Sequence, residues 1–183
     1  FVNVDWFFYS HRLPIAKAAK KNKIKMSVYT DFTDNQEKKE EDEYCIYQSP
    51  IRRTSKSILH VILEFLNVFI LIKNRKPDLI HAVTIKPILL LGLASRFTST
   101  PFIAAISGLG PAFQPKSWSD KMRLNIIVKL LRVIFRNRKA KIICQSKDDR
   151  DVLVGQGITI VKNVSLVSGS GVDISIYSPL KKR

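Results

Sequence analysis

Residues 76–106 read KPDLIHAVTIKPILLLGLASRFTSTPFIAAI, and this stretch decides the fold. Two short apolar runs, 79–82 and 101–106, enclose a longer run with helical spacing, 87–99. Two strands joined through a helix form a right-handed crossover unit, and the strands of such a unit are parallel. The stretch therefore predicts an α/β fold built on a parallel sheet.

The same alternation continues on both sides of this stretch. Further strands are predicted at 1–4, 25–30, 44–48, 141–145 and 164–167, and further helices at 11–21, 54–75, 119–138 and 147–156. With 183 residues and 45% hydrophobic residues, the chain suits one domain with a sizeable core. We therefore predict a Rossmann-like parallel sheet with helices on both faces.

Local signals refine the helix starts and one connection. The predicted N-caps are Thr54 or Ser55 for the second helix, Ser119 or Asp120 for the fourth, and Ser146 for the last. The acidic segment 35–43 is predicted to be a solvated loop.

Cysteine and histidine spacing argues against a disulfide or a metal site. Cys45 and Cys144 lie in separate strand-like runs without a CxxC pattern, which favours buried, reduced thiols as found in the cytosol. His11, His60 and His81 are far apart and show no HExxH spacing, so no metal is predicted. The chain contains no uninterrupted run of 18 apolar residues, so we predict no membrane span.

The positive charge is strong and unevenly distributed. The net charge is +16, and residues 116–141 contain nine bases and one acid. Such a field favours anionic partners, namely phosphate esters, nucleic acid or an acidic membrane surface. In the helix predicted at 119–138, the apolar positions are expected to pack against the sheet, and these are Met122, Ile126, Ile127, Leu130, Leu131, Ile134 and Phe135. Its basic residues then face anionic lipid or, alternatively, plain solvent.

Ligands of open parallel sheets bind at the carboxyl ends of the strands, which directs attention to loops 3–10, 82–86 and 107–113. In the first loop, Asp5 can accept a hydrogen bond from a substrate hydroxyl, Trp6 can stack on a sugar, and His11 or Arg12 can meet a phosphate. Asn3 is a further substrate-binding candidate in this loop. The alternative is that its aromatic residues pack in the core or between domains. A GxGxxG motif is absent here, which argues against a nicotinamide or flavin enzyme.

The other two loops also carry candidate ligands. His81 stands near a strand end, although a core histidine is the alternative, and Lys86 at a helix start can meet a phosphate. Ser107, Gly108 and Gly110 can bring backbone N–H groups to a ligand, or they can form an ordinary tight turn.

Four stretches of the sequence resemble family 4 of the glycosyltransferases, the retaining GT-B enzymes, and specifically their N-terminal domain. They are NVDWFFYSHRLPIAKAAKKN (3–22), RKPDLIHAVTIKP (75–87), FIAAISGLGPAF (102–113), and AKIICQSKDDRDVL (140–153) leading to SGSGVDISIYSP (168–179). The resemblance spans essentially the whole chain in order.

The resemblance implies an enzyme that transfers a sugar from a nucleotide-sugar with retention of configuration, usually without a metal and with no cofactor. Residues 1–172 then form the N-terminal, acceptor-side domain, and 173–183 begin a linker to a donor-binding domain. The glutamate-containing donor motif of the family has no match here. Because the chain starts at Phe1 and not at Met, we expect a fragment that is inactive alone.

The resemblance also implies a bacterial enzyme of polysaccharide or lipopolysaccharide synthesis. It would act on a lipid-linked saccharide as a peripheral protein on the cytoplasmic face of the inner membrane. The implied catalytic candidates are Asp5, His11 and His81, with His81, Lys86 and 107–110 around the acceptor. The sequence lacks the glycine pair and the loop histidine of several family members. The leaving phosphate can then take the acceptor proton.

Two functions of other classes stay open from the sequence. One is a non-catalytic domain that docks on a membrane or a partner enzyme. The other is a nucleic-acid-binding module, suggested by the pI of about 10.0. No RRM, KH or helix-turn-helix pattern accompanies that charge, so no nucleic-acid partner is expected.

Overall fold

The computed structural model describes residues 1–33, 40–41, 44–52 and 57–169, with only the backbone of 40 and 41. Its strands are β1 (Ser27–Thr30), β2 (Glu40–Glu41), β3 (Tyr44–Gln48), β4 (Ile80–Val83), β5 (Phe102–Ile106), β6 (Ala140–Cys144) and β7 (Val164–Leu166). Its helices are α1 (Asp5–Phe7), α2 (Leu13–Lys21), α3 (Ile58–Arg75), α4 (Ile85–Thr98), α5 (Trp118–Phe135) and α6 (Lys147–Gly155). A π-helical segment (Phe8–Arg12) joins α1 to α2, and short 3-10 helices occupy Gly110–Phe113 and Val161–Asn163.

The strands form two sheets, in the orders β1-β3-β2 and β4-β5-β6-β7. All pairs are parallel except β2 with β3. Residues 1–4 lie between the sheets, since Val2 N donates to the Tyr29 carbonyl of β1 (2.9 Å) and Val83 N of β4 donates to the Phe1 carbonyl (3.0 Å). The predicted first strand therefore completes one continuous Rossmann-like sheet.

Helices cover both faces of this sheet, as predicted. The larger core lies between the sheet and helices α3 to α6, and its fully buried side chains include Leu91, Phe102 and Ile134. The smaller core lies on the other side, where Phe8 and Ala16 from the first helical segment pack against Ile46. Both cores consist mainly of the apolar residues whose spacing predicted these elements.

We predicted a loop up to residue 10, but the first helix begins earlier, at Asp5. The Asp5 carboxylate accepts the backbone N–H of Trp6 (2.8 Å), and Phe8 is buried edge-on against Tyr44, with ring centroids 5.2 Å apart. Aromatic residues have modest helix propensity, so tertiary packing decides the conformation of this segment.

The prediction for α5 is wrong in two respects. Its N-cap is Ser117, which forms a capping box with Asp120, so neither Ser119 nor Asp120 is the cap. Met122 and Ile126, which we expected to face the sheet, are 47% and 56% exposed. The buried residues of this helix are Ile127, Val128, Leu131, Ile134 and Phe135. The helix is apolar on both sides, so spacing alone did not identify the buried side.

Other predictions are confirmed, corrected or left open. Ser146 caps α6, accepting from Asp149 N at 3.0 Å. Within the predicted acidic loop, Glu40–Glu41 instead pairs antiparallel with β3. The N-cap position of α3 is Ser57, so the prediction of Thr54 or Ser55 as its cap is wrong. The predicted linker 173–183 lies outside the described residues.

The two cysteines are free and lie in β3 and β6, but only Cys144 is buried, whereas Cys45 is partly exposed. Among the described residues, no helix is both long enough and apolar enough to cross a membrane.

Helices α4 and α5 approach closely at Gly92. A Cβ atom at this position would lie 2.8 Å from Cγ2 of Ile134, which is fully buried. We predict that Gly92→Ala lowers the free energy of unfolding by about 1–3 kcal/mol, because overpacking outweighs the better helix propensity of alanine. Urea denaturation measures the change.

The matched control is Gly155→Ala at the end of α6, where a Cβ would meet nothing within 4 Å. It should be neutral or slightly stabilising. Equal stability of the two variants would contradict the close packing of α4 on α5.

Candidate functional site

Three segments come together at the carboxyl edge of the sheet. Residues 1–4 lie next to β4, and β4 pairs with β5, so the segments that follow these three strands are neighbours. They are the start of α1, the β4–α4 junction and the loop at 107–110. Strand order reverses between residues 1–4 and β4, and this is the position where open α/β sheets bind ligands.

Asp5 begins α1 at this edge, and the surrounding structure holds its carboxylate. Its Oδ1 accepts from Trp6 N (2.8 Å) and from Thr33 Oγ1 (2.9 Å), and its Oδ2 accepts from Thr33 N (3.4 Å). The residue is buried. Asp5 therefore fixes the end of β1 to the start of α1. Thr33 was not among the sequence candidates, because nothing in the sequence links positions 28 residues apart.

A cluster of aromatic side chains lies on α1 and on the π-helical segment that follows it. Trp6 is 54% exposed and meets Phe7 edge-on, with centroids 6.0 Å apart, and the His11 ring stacks on Phe7 at 4.6 Å. His11 Nδ1 lies 2.6 Å from Ser10 Oγ. Trp6 and His11 thus present polar and aromatic surface to solvent, while Asn3, which precedes this helix, is half-buried.

The β4–α4 junction contains a strained residue that the sequence did not reveal. Thr84 has φ of 73° and ψ of 155°, a region that side-chain-bearing residues rarely adopt. Its carbonyl nonetheless accepts Ile88 N (3.0 Å), the first hydrogen bond of α4. Strain of this kind often occurs at functional sites, and the neighbouring sequence gives no turn signal for it.

Lys86, which we predicted to bind a phosphate, lies in the first turn of α4. Its ammonium has hydrogen-bond and ion-pair partners within the chain. Nζ is 2.7 Å from Glu64 Oε2 and donates to the Arg52 carbonyl at 2.7 Å. Glu64 Oε1 also accepts Arg52 N at 3.0 Å. The ion pair thereby ties α3, α4 and the segment after β3 together beside the edge.

The loop after β5 is open to solvent. Gly108 and Gly110 have φ of 134° and 61°, and a Cβ at either would meet nothing within 4 Å. Conformation, not space, therefore favours glycine at both positions. Leu109 N donates to Asp149 Oδ1 (3.3 Å), which fixes the loop to α6. Ser107 is exposed at the same edge, so the predicted ligand loop is accessible.

His81 is separate from these groups. It is the second residue of β4 and lines a cavity of about 750 Å³ at the amino ends of β1 and β4, together with Arg12. Burial lowers the pKa of His81 to about 4, with the positive charge of Arg12 adding to the shift. The imidazole is therefore neutral at pH 7 and remote from the carboxyl edge.

In the part of the chain that the structure describes, no three His, Cys, Asp or Glu residues are grouped so that they could hold a metal ion.

Three comparisons relate the chain to known proteins. The family model described as "Glycosyl transferase 4-like" matches residues 1–146. A structure of sucrose-phosphate synthase from Thermosynechococcus elongatus has a similar fold, with a TM-score of 0.64 and 14% sequence identity. That similarity covers 91% of this chain and 43% of the synthase chain, so the chain spans less than half of that protein. No curated protein matches the sequence.

The environment of Lys86 leads to a test of its role. We predict that Lys86→Met lowers the free energy of unfolding by about 3 kcal/mol, because Glu64 is left buried without its cation. This value is the lower end of the range of stability losses expected when one partner of a buried ion pair is removed. We use the lower end because the Lys86 side chain is 28% exposed. Urea unfolding at pH 7 measures the effect.

The double variant Glu64→Gln/Lys86→Met removes the isolated charge and should recover much of the loss. Unchanged stability of Lys86→Met would contradict a stabilising role for this ion pair.

Proposed function

The chain belongs to the glycosyl transferase 4-like family, and from this premise we propose that it forms the acceptor-binding half of a glycosyltransferase. The enzyme moves a sugar from a nucleotide-sugar to a lipid-linked saccharide in the synthesis of a bacterial surface polysaccharide or lipopolysaccharide. The parallel α/β domain is similar to part of a GT-B glycosyltransferase structure, which supports this role.

The observation that carries the proposal is the convergence of three open segments where strand order reverses. Trp6 offers an exposed aromatic face against which a sugar ring can stack. The loop at 107–110 offers backbone and hydroxyl groups for hydrogen bonds. The amino end of α4 adds the partial positive charge that favours a phosphate.

A donor-binding half completes the enzyme in this proposal. The chain corresponds to 43% of the length of sucrose-phosphate synthase, a similar structure. We expect the nucleotide-sugar to bind mainly to the remaining half, with the acceptor in the cleft between the two. The 183-residue chain alone is then inactive.

Among the catalytic candidates, His11 has the most suitable surroundings. Asp5 is committed to Thr33 and Trp6, and His81 lies within β4, where it lines the cavity at the amino ends of β1 and β4. His11 is exposed on the π-helical segment that follows α1, with Nδ1 near Ser10 Oγ. In the proposed reaction His11 contacts the acceptor or donor phosphate, and the leaving phosphate takes the acceptor proton.

The proposed location is the cytoplasmic face of the inner membrane. Exposed bases along α5, including Lys121, Arg123 and Lys129, suit attraction to anionic lipid headgroups. A lipid-linked acceptor is anchored in the same surface, so attachment brings the enzyme to its substrate.

The direct test is a transfer assay on bacterial membranes with a panel of labelled UDP- and GDP-sugars. It compares the 183-residue chain with the protein that its full gene encodes. We expect label in the lipid fraction from one donor sugar with the full gene product and none with the chain alone.

Absence of transfer by both proteins, each folded by circular dichroism, would overturn the enzymatic proposal. It would favour a non-catalytic docking domain.

Trp6 provides the second test. In the full gene product, Trp6→Ala should raise the KM for a water-soluble saccharide acceptor about fivefold, since aromatic stacking contributes roughly 1 kcal/mol. Trp6→Phe should retain most of the affinity, and kcat should change little.

Ile160→Ala is the matched control, because Ile160 is 51% exposed and lies just before the short 3-10 helix that leads into β7. An unchanged KM for Trp6→Ala would remove Trp6 from the acceptor site.

A further inference from the structure

Helix α3 exposes a continuous apolar stripe. Its members are Ile58, Leu59, Ile62, Leu63, Leu66 and Ile70, which we call the α3 stripe, and they are between 45% and 78% exposed. Positions 59, 62, 63, 66 and 70 follow the spacing that places side chains on one side of a helix. A soluble surface helix normally shows polar residues there.

Packing among the described residues does not account for this stripe. The buried side of α3 consists of Glu64, Val68 and Ile72. Phe97 at the end of α4 enlarges the apolar surface, since it is 73% exposed and stands edge-on to Phe65 and Phe69 of α3, with centroids 6.4 and 6.3 Å away. Contiguous exposed apolar surface of this kind marks an interaction site.

A second, smaller apolar stripe lies on α5. Trp118, Met122, Ile126 and Val133 form this α5 stripe, and they are between 47% and 76% exposed. Both α3 and α5 pack against α4, so the two stripes belong to the same helical layer. Tryptophan at the end of an amphipathic helix is typical of helices that lie in a membrane interface.

The exposed charges on helices α3, α4 and α5 are mostly positive. The exposed bases of these three helices are Lys73, Arg75, Arg96, Lys121, Arg123, Lys129 and Arg132. Their acids are Glu64, which is paired with Lys86, and Asp120, which caps α5. Apolar side chains bordered by bases match a surface that is both apolar and negative.

We propose that the outer surface of α3 to α5 binds an anionic lipid bilayer, with the α3 stripe inserted at the boundary between headgroups and acyl chains. A second copy of the chain is a poorer partner, because each copy carries a net charge of +16 and the two would repel. Attachment is therefore partly hydrophobic and persists when salt screens the charges.

The surface also suits the proposed acceptor, and for this purpose the inference rests on the proposed function. The second turn of α3 lies beside the start of α4, where Glu64 joins Arg52 and Lys86. Insertion of Ile58 and Leu59 places the bilayer next to the site where the saccharide would bind. Vesicle binding is measured without sugar transfer, so either proposal can fail alone.

The experiment is flotation of the 183-residue chain with vesicles of phosphatidylcholine, with and without phosphatidylglycerol, at low salt and at about 1 M salt, where the Debye length is about 3 Å. The wild-type chain should float with phosphatidylglycerol vesicles in both salts. Ile62→Asn/Leu66→Asn should lower the partition coefficient by roughly 100-fold, about tenfold for each side chain.

Two further variants separate the causes of binding. Val152→Asn/Ile160→Asn removes two exposed aliphatic residues elsewhere and should bind as the wild type does. Lys121→Gln/Lys129→Gln should weaken binding about tenfold at low salt and leave it unchanged at about 1 M salt. Thermal unfolding followed by circular dichroism verifies that each variant is folded. If the asparagine variant of α3 unfolds, Ile62→Ala/Leu66→Ala replaces it, because alanine removes the apolar side chains and retains high helix propensity.

Three results would overturn the proposal. The first is that the wild-type chain does not float with vesicles. The second is that the asparagine and alanine variants of Ile62 and Leu66 bind vesicles as the wild type does. The third is that the Val152→Asn/Ile160→Asn control loses as much binding as the α3 variants do. A wild-type dimer in lipid-free solution that becomes a monomer in the α3 variant would assign the stripe to a second copy of the chain.

Discussion

Backbone hydrogen bonds of residues 1–4 hold the sheet together. Val2 bonds to β1 on one side, and Phe1 bonds to β4 on the other. Without these bonds the molecule would have two separate sheets with four polar edges. With them, strand order reverses at this position, and the starts of α1 and α4 meet at one edge. The geometry of the candidate site is therefore a consequence of how this short segment pairs.

Much of the fold could be predicted because strands and crossover helices carry local signals. Residues 44–48 and the Ser146 cap were predicted as the structure has them, and β4, α4 and β5 differ by one or two residues. The first helix was missed because its aromatic residues favour helix only when packed. Long-range contacts such as Phe8 with Tyr44 supply that packing, and no local pattern contains them.

The candidate site was less predictable, since its chemistry depends on partners distant in sequence. The rule that ligands bind at the carboxyl ends of parallel strands identified the segments with Asp5, Lys86 and Ser107. It did not show that Thr33 hydrogen-bonds Asp5 or that Glu64 pairs with Lys86. The strain at Thr84 is likewise invisible in the sequence. The position of a residue at a sheet edge can be derived from the alternation of strands and helices along the sequence. Whether a charged side chain there is already paired within the protein is seen only in the three-dimensional structure.

Helix α3 shows why hydrophobic periodicity alone is ambiguous. It buries the carboxylate of Glu64 and exposes six aliphatic side chains. Burial of a charge is unfavourable unless it is paired, and the ion pair with Lys86 makes the arrangement possible. Among the residues that the structure describes, exposure of the six aliphatic side chains has no such compensation. The packing of these residues therefore explains one side of α3, and the other side is the surface that we propose to insert into a bilayer.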